Sequence, residues 1–180
     1  YTAESMARSH RWSLRSLRSF NRKDIYSSKE GSSGLQSLYG IIQGGIFEDL
    51  RDESIYFNLN ISDFFGLAIG GSLGSSKEEM HKVVEYTASK LKTNHPVHLL
   101  GIGDPVEIWS LVKFGIDTFD CVSPTRLARH GAALTRTRLG KINLKNEKYR
   151  ELIQPIDQNC DCSTCKIYSV SYLHHLLKSE

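Results

Sequence analysis

Three cysteines near the carboxyl end of the sequence are the residues whose types and spacing point most directly to chemistry. Cys160, Cys162 and Cys165 lie within six residues, whereas the fourth cysteine, Cys121, stands apart. A secreted domain held by disulfides spaces its cysteines along the chain. Three thiolates in one tight loop can instead occupy three corners of a zinc tetrahedron. The spacing therefore predicts a metal site in a reducing compartment.

A closed metal site of this kind needs a fourth ligand. The nearest donors in the sequence are His174 and His175, on a helix that we predict after the cysteines. Either histidine could complete the site if that helix folds back on the cysteine loop. The alternatives are that the two histidines only line an exposed helix face, and that the cysteines are buried thiols without a metal.

Asp120 is the second residue with chemical potential. It follows Phe119 at the end of a predicted strand and precedes the segment 121–126. A carboxylate at the end of a strand can act as a nucleophile, a general acid or a metal ligand. The alternative is an aspartate that caps a helix or pairs with Arg126. The spacing alone leaves these interpretations open.

The charge of the chain is unevenly distributed. The formal net charge is +3, yet between residues 120 and 150 eight basic residues stand against two acids, so this segment alone carries +6. Its basic residues are Arg126, Arg129, Arg136, Arg138, Lys141, Lys145, Lys148 and Arg150. A basic stretch suits phosphates and therefore a nucleic acid, with a solvated face as the alternative.

Short apolar segments alternate with amphipathic helices along the chain. We predict strands over 38–43, 66–69, 97–100 and within 116–122, a loop over 30–34, and helices over 5–20, over 47–58, after a Ser76 cap and from Asp104-Pro105. This alternation is typical of parallel β/α units. In such folds ligands bind at the carboxyl ends of the strands. Those ends here carry Gln43, Gly70-Gly71, Gly101 and Asp120.

Length and composition describe a globular chain. The sequence has 180 residues, of which 39% are hydrophobic and 24% charged, and these values exclude a disordered tail or a collagen-like fibre. No apolar run approaches the roughly 18 residues of a membrane helix, and no signal peptide is recognisable. Gly101-Ile102-Gly103 lacks the third glycine of a dinucleotide-binding fingerprint. The first residue is Tyr1 rather than Met, which leads us to expect a processed or truncated chain.

Five ordered motifs and the opening segment make the sequence similar to a known family. The motifs are YGIIQGG (39–45), GLAIGG (66–71), GIGDP (101–105), FDCVSPTRLAR (119–129) and CDCSTC (160–165), and the opening segment is SMARSHRW (5–12). In this order and spacing they resemble the tRNA-guanine transglycosylases, also called queuine tRNA-ribosyltransferases. The resemblance covers nearly the whole chain.

The resemblance implies a fold class and a division of the chain. The expected fold is α/β: the C-terminal half of a (β/α)8 TIM barrel with a zinc-binding subdomain, truncated at both ends. Residues 1–140 would form a partial TIM-barrel catalytic region and residues 141–180 a partial zinc-binding subdomain. A complete barrel typically takes about 250 residues, which is more than this chain contains.

The resemblance also implies a pentosyltransferase activity in queuosine biosynthesis. The wobble guanine of certain tRNA anticodons is exchanged for queuine or its 7-aminomethyl-7-deazaguanine precursor, through a covalent ribosyl-aspartate intermediate. Asp120 matches the nucleophile, and Gln43 and Gly71 match the residues that bind the base. The expected tRNA contacts are Gly101, Ile102, Gly103, Asp104, Pro105, Val106 and Glu107, together with Thr125, Arg126, Leu127, Ala128 and Arg129.

The same resemblance assigns one structural Zn²⁺ to Cys160, Cys162 and Cys165. The family's fourth ligand is a histidine beyond the end of this chain, which argues against His174 and His175. Two further family aspartates match positions before Tyr1, so we expect the chain by itself to be inactive. Asp104 stands where many relatives carry a lysine, and the loop 72–76 lacks the family's glutamate, which leaves the identity of the base open.

The expected partners are tRNA, guanine and 7-deazaguanine bases, and a second subunit. The full-length enzyme would be a homodimer or pair with a family-related subunit, in the cytoplasm and without a membrane. The alternative function is a non-catalytic tRNA-binding partner subunit. The presence of both Asp120 and Gln43 argues against it, because a subunit without chemistry needs neither. A free-standing zinc and RNA-binding module would not need the β/α units.

Overall fold

The computed structural model describes residues 1–21, 37–62, 64–91, 95–136 and 140–179. The chain divides into two compact units, Tyr1–Cys121 and Val122–Glu180. The predicted boundary at residue 140 lies inside the second unit, and the assignment of catalytic and zinc-binding domains stays a prediction. The predicted loop 30–34 and Arg138 lie outside the described residues.

The first unit is built around a parallel sheet of four strands in sequence order. The strands are β1 (Tyr39–Ile42), β2 (Gly66–Ile69), β3 (Val97–Leu99) and β4 (Thr118–Phe119). All three neighbouring pairs are parallel. The structure thus confirms the four predicted strands and their parallel β/α arrangement.

Four helices alternate with these strands. They are α1 (Thr2–Phe20), α2 (Glu48–Ile61), α3 (Lys77–Lys90) and α4 (Pro105–Val112). The predicted starts of the last two are confirmed: the Ser76 side chain accepts from the Glu79 amide, and the Asp104 side chain accepts from the amides of Val106 and Glu107. The Glu79 carboxylate accepts from the Ser75 amide at 2.7 Å, one residue before the cap residue Ser76. These contacts satisfy backbone donors that the first turn leaves free.

Apolar side chains from both layers form the core of the first unit. Ile42, Ile69 and Leu99 from three neighbouring strands are fully buried, and Val84 and Leu111 cover them from α3 and α4. Strands buried on both faces read as continuous apolar runs, as the sequence of β2 does. The core therefore fixes the positions at which the strands end.

The second unit begins with helix α5 (Ser123–Arg129) and an antiparallel pair, β5 (Ala132–Leu134) with β6 (Lys141–Asn143). A 3-10 turn (Glu147–Tyr149) and helices α6 (Ser163–Ile167) and α7 (Val170–Lys178) follow. The predicted helix after the cysteines is thus present, whereas the strand pair was not foreseen. Among the residues described, none of the helices has the length and hydropathy needed to cross a membrane.

Candidate functional site

The carboxyl edge of the sheet brings the predicted site residues of the first unit into one row. Ile42 is in register with Ile69, and Leu99 is in register with both Ile69 and Phe119. Two further backbone hydrogen bonds extend the row, from the Gly70 amide to Ile42 (2.9 Å) and from the Leu100 amide to Ile69 (3.2 Å).

The next residues along the four strands are Gln43, Gly70, Leu100 and Asp120. Gln43 and Asp120 therefore end two strands of one sheet on the same side, where parallel β/α folds bind their ligands. The expectation that the strand ends form the site is consistent with this geometry.

Gln43 and Gly71 lie against each other. Gly71 has φ +79°, and a Cβ atom added to it would stand 2.7 Å from the Gln43 Oε1 atom. A Cβ on Gly70 would stand 3.6 Å from the Gln43 Nε2 atom. The primary amide of Gln43 thus runs along the glycine pair, and at position 71 only glycine leaves it this room. Such an amide offers a donor and an acceptor, which suits the edge of a purine.

Arg51 from α2 holds the loops that carry this pair. Its side chain is fully buried and donates from Nε to the Gly45 carbonyl at 2.8 Å. Nη1 donates to Ile42 (3.2 Å) and Gly70 (2.9 Å), and Nη2 donates to Ser72 (3.3 Å). Burial lowers the pKa of Arg51 to about 10, so the guanidinium stays charged at neutral pH. One cation thereby ties the ends of β1 and β2 together.

A second contact fixes the backbone of Gln43. Its amide donates to the Ser54 hydroxyl at 3.0 Å, and this hydroxyl lies 3.1 Å from Nε2 of His10 on α1. The His10 ring stacks on Phe57 with a centroid distance of 3.9 Å. Burial lowers the pKa of His10, and the Glu53 charge offsets this only in part. The opening helix is therefore coupled through Ser54 to the end of β1.

Asp120 is an exposed carboxylate with two hydrogen-bond donors. Its Oδ1 accepts from the Gly101 amide at 3.0 Å and lies 3.1 Å from Nε2 of His98. The Gly101 amide, followed by His98, lowers the pKa of Asp120 below the usual aspartate range. The side chain remains 56% exposed. Asp120 is thus ionised at neutral pH and accessible, as a nucleophile must be.

The predicted tRNA-contacting loop, Gly101 to Glu107, contains side chains that already have structural partners. Asp104 caps α4. The buried carboxylate of Glu107 receives Lys77 at 2.7 Å and lies 2.6 Å from the His81 ring, contacts that lower the pKa of Glu107 in this order. A Cβ on Gly103 would collide with Cys121 at 2.2 Å. Gly101, Pro105 and Val106 are exposed. Backbone atoms and these exposed residues are what the loop can offer a polyanion.

The second predicted tRNA-contacting segment forms helix α5 in the second unit. Thr125, Arg126, Ala128 and Arg129 are exposed, and Leu127 is half-buried. Pro124 occupies the first turn, where its missing amide hydrogen costs nothing. The two arginines therefore present guanidinium groups to solvent, where they can bind phosphates.

The three cysteines meet in the second unit, as their spacing predicts. The Sγ atoms of Cys160, Cys162 and Cys165 all lie within 4.8 Å of one another. Bonds of about 2.3 Å to a tetrahedral zinc would place the sulfurs about 3.8 Å apart, so a small closure suffices. The Cys165 amide and then the Cys160 thiol donate to Cys162 and lower the pKa of its thiol. The donor set and its spacing fit a metal ion.

Neither of the two nearby histidines belongs to this cluster. His174 is buried, and its Nδ1 lies 2.8 Å from the Leu144 carbonyl oxygen. His175 is exposed on α7. Among the described residues, no histidine, aspartate or glutamate joins the three cysteines as a fourth ligand. The interpretation that His174 or His175 completes the site is therefore wrong for this conformation, because α7 packs His174 against the segment after β6.

The residues that position the site were missed from the sequence. Arg51, Ser54 and Asn58 look like ordinary polar positions of α2, yet all three are buried. Their spacing of three and four places them on one helix face together with Ile55, and this periodicity was the available signal. His98 gave no comparable signal, because it is a single polar residue in a short strand.

Fold and site together define a parallel β/α protein with a carboxylate, a primary amide and a glycine pair at the carboxyl edge of its sheet. Its second unit carries three clustered cysteines that could hold a metal ion. A protein-family model described as "Queuine tRNA-ribosyltransferase" matches residues 1–180. The chain belongs to the queuine tRNA-ribosyltransferase family.

Individual relatives carry the same name. A queuine tRNA-ribosyltransferase of Roseiflexus sp. (strain RS-1) is 45% identical over 188 residues, covering 100% of this chain and 46% of the relative. The protein of that name from Fusobacterium nucleatum is 40% identical, with 100% and 46% covered, and the one from Listeria monocytogenes serotype 4a is 41% identical, with 100% and 44% covered. The chain thus spans somewhat less than half the length of these curated relatives.

Proposed function

We propose that the full-length protein containing this chain exchanges the wobble guanine of tRNA anticodons for queuine or its 7-aminomethyl-7-deazaguanine precursor. The observation that carries this proposal is the placement of Asp120 at the same sheet edge as Gln43 and Gly71. Membership of the family supports the reaction class. The parallel sheet of the first unit supports the proposal that this unit is part of a (β/α)8 barrel. Residues 141–180 would belong to a zinc-binding subdomain.

The proposed chemistry begins with Asp120. A carboxylate oxygen attacks C1′ of the ribose while the C1′–N9 bond breaks, and the bonding electron pair leaves with guanine. The product is a ribosyl ester of Asp120. The incoming deazaguanine gives up its N9 proton, which in the net reaction replaces the proton that the departed guanine takes up at its own N9. The deprotonated N9 then attacks C1′ while the ester C1′–O bond breaks, and the carboxylate is regenerated. Two inversions retain the configuration, as in retaining glycosidases.

Gln43 and Gly71 would read the base that enters and leaves. The amide of Gln43 can donate to a carbonyl oxygen of guanine and accept from its N–H groups. Gly71 lets the backbone approach the base plane closely. Since guanine is normally stacked, it must first leave the anticodon stack. Arg51 and Ser54 would keep the Gln43 and Gly71 edge rigid while the base changes.

The basic helix α5 and the loop after β3 are the proposed tRNA contacts. Arg126 and Arg129 are exposed and suit phosphates. In the loop Gly101 to Glu107 the contact would be made by Gly101, Pro105, Val106 and backbone atoms, because Asp104 and Glu107 are engaged within the fold. A structural Zn²⁺ on Cys160, Cys162 and Cys165 would stabilise the second unit. We expect the fourth ligand to come from a histidine outside this sequence.

The decisive experiment uses the full-length protein with Asp120→Asn. We expect the parent to form a tRNA adduct that survives denaturing gels in the presence of a guanine-site ligand, and the variant to form none. Asp117→Asn is the matched control, because Asp117 lies three residues earlier and accepts the Val97 amide at 2.7 Å, which an asparagine oxygen can also do. Adduct formation by D120N at the parental level would remove Asp120 as the nucleophile.

The same assay separates the enzyme from a non-catalytic partner subunit. Such a subunit would bind tRNA but would exchange no labelled guanine and form no adduct, with or without the Asp120→Asn substitution. We expect exchange from the full-length protein, acting as a homodimer or with a related subunit. The 180-residue chain alone should be inactive, because two aspartates that the family uses are not in this sequence.

A further inference from the structure

The nucleophile proposed above has a side-chain neighbour to which no role has been assigned. His98 lies on β3, with its Nε2 3.1 Å from Oδ1 of Asp120 and its Nδ1 2.8 Å from Oγ1 of Thr118. Thr118 and Asp120 flank Phe119 at the end of β4. Three side chains from two paired strands therefore form one continuous hydrogen-bonded chain, in the order Thr118, His98, Asp120.

The protonation of this chain follows from its members. An ionised carboxylate accepts hydrogen bonds only, so the Asp120 contact requires a hydrogen on Nε2 of His98. In the neutral ring Nδ1 is then an acceptor and takes the hydroxyl hydrogen of Thr118. The other ring that faces His98 is that of Tyr39 on β1, edge-on at 6.4 Å between centroids. The contact with Asp120 thus sets the tautomer of the imidazole, and the contact with the Thr118 hydroxyl holds its rotation.

The two donors to Asp120 reach the same oxygen. Both the Gly101 amide and His98 Nε2 contact Oδ1, at 3.0 Å and 3.1 Å. If Oδ2 makes the bond to C1′, Oδ1 becomes the carbonyl oxygen of the ester and keeps both donors. The same donors stabilise the carboxylate when it leaves in the second step. Both donors therefore stabilise Oδ1 throughout the exchange, and they need not be rearranged between its two steps.

We propose that His98, oriented by Thr118, is a positioning residue that fixes the Asp120 carboxylate with Oδ2 directed to the reacting carbon. This inference rests on the proposed function of Asp120 and adds a residue to it. The burial of His98 does not explain its presence, since its side chain is 22% exposed.

A pair of amide variants isolates the contact to Asp120. In His98→Gln the terminal nitrogen can occupy the place of Nε2 and still donate to Asp120. In His98→Asn the shorter amide stands near the place of Nδ1 and keeps only the Thr118 contact. Removing a hydrogen bond to a charged group corresponds to a rate loss of about 10- to 100-fold. We expect this loss in kcat for H98N and less than about 5-fold loss for H98Q.

Two readouts distinguish positioning from a general structural role. The KM for tRNA should stay within about 3-fold of the parent in both variants, because the missing hydrogen bond acts on the reacting carboxylate. Thr118→Val should lower kcat in the same direction as H98N, and Thr118→Ser should not. Equal kcat values for H98N and the parent, or equal losses for H98N and H98Q, would overturn the proposal.

A measurement on the resting full-length protein covers the case in which no exchange occurs. Carbon-13 NMR of labelled aspartate carboxyls, assigned with D120N, gives the pKa of Asp120 directly. A hydrogen bond to the ionised form lowers a carboxyl pKa, so H98N should raise the pKa of Asp120 and H98Q should not. If the parent exchanges no base but H98N raises this pKa, the proposed function fails and the positioning contact stands. An unchanged pKa in H98N contradicts the contact itself.

Discussion

The guanidinium of Arg51 donates to the carbonyl oxygen of Gly70 at 2.9 Å, and the same nitrogen also reaches the carbonyl of Ile42. A buried cation here binds backbone carbonyls rather than a carboxylate. Peptide oxygens carry only partial charge, so the guanidinium needs several of them, and its planar fork can reach four at once. The ends of β1 and β2 are thereby held at a fixed separation, which is where Gln43 meets Gly71.

Arg51→Lys tests whether the fork, rather than the charge, provides this support. Lysine keeps the positive charge but cannot serve four carbonyls in fixed directions, so buried oxygens lose their donors. We expect the free energy of unfolding in urea to fall by about 3 kcal/mol. Arg15→Lys, at an exposed position of α1, should change it by less than about 0.5 kcal/mol. An R51K protein as stable as the R15K control would show that the carbonyl contacts contribute little.

Gly71→Ala should damage binding of the base while leaving tRNA binding intact. The new Cβ would stand 2.7 Å from Gln43 Oε1 and displace the amide. We expect the KM for guanine to rise at least about 10-fold, since a lost pair of hydrogen bonds is worth more than about 1.4 kcal/mol.

Gly74→Ala is the matched control for this substitution. Gly74 also has a positive φ, and its new Cβ would meet the flexible Glu79 side chain at 2.6 Å instead. G74A therefore carries a similar backbone strain but does not touch Gln43. Its KM for guanine should stay within about 3-fold of the parent value, well under the tenfold change that about 1.4 kcal/mol represents. Equal effects of G71A and G74A would trace the loss to loop strain.

Gly101→Ala separates backbone strain from loss of the nucleophile's donor. Gly101 has φ +79° with nothing within 4 Å of a new Cβ, so alanine meets strain but no clash. Gly115 has φ +91° and the same open surroundings, but its amide donates to the Val112 carbonyl and not to Asp120. Each alanine should cost about 1–2 kcal/mol of stability. Only G101A should also lower kcat, because it shifts the amide that donates to Asp120. The kcat is measured by exchange of labelled guanine, and an equal loss of kcat in G115A would contradict this prediction.

The sequence predicted the four strands of the first unit because their apolar runs are short and unbroken and alternate with helices, two of which begin at clear capping residues, Ser76 and Asp104. It also placed Gln43 and Asp120 at the ends of strands and the three cysteines in one cluster, as the structure has them, because these residues sit in distinctive local patterns. The roles of Gln43 and Asp120 stay predictions. The pair β5–β6 was not predicted, since its short strands have no clear alternation. The local sequence pattern was enough to predict a feature wherever a single segment of the chain determines it.

The supporting contacts could not be predicted because they join distant segments. His10 reaches Ser54, and His98 reaches Asp120, only after the helices and strands have packed. The burial of Arg51 likewise depends on four carbonyls at and after the ends of β1 and β2. The interpretation of His174 as a metal ligand was wrong for a related reason, since its partner is the Leu144 carbonyl and nothing in the local spacing indicates it.

Glu107→Gln should change the acid sensitivity of the first unit. Lys77 and then His81 lower the pKa of Glu107, so the folded-state pKa lies below that of the unfolded chain. This contribution to stability is fully present above the unfolded value of about 4.3 and is lost as the pH falls through the lower folded value. Urea unfolding between pH 6 and about pH 3 should therefore show a shallower decline for E107Q than for the parent.

Glu85→Gln serves as the control for that experiment. Glu85 is exposed on α3, the helix that also carries Lys77 and His81, so the substitution removes one carboxyl without removing the contact between α3 and α4. Its pH profile should follow that of the parent. If E107Q declines as steeply as E85Q on acidification, the ion pair does not contribute to the pH dependence of stability.

Removal of one thiol should abolish metal binding by the second unit. The Cys165 amide lowers the pKa of the Cys162 thiol, which favours the thiolate that binds a metal. All three sulfurs are needed, because each supplies one corner of the tetrahedron. We expect the full-length protein to contain about one zinc per chain by elemental analysis and Cys162→Ser to contain almost none. Cys121→Ser, outside the cluster, should keep its zinc.

Stripping the parent with a chelator should lower its unfolding temperature to that of C162S, because metal-binding free energy is also folding free energy. A full zinc equivalent in C162S would contradict the assignment of the site.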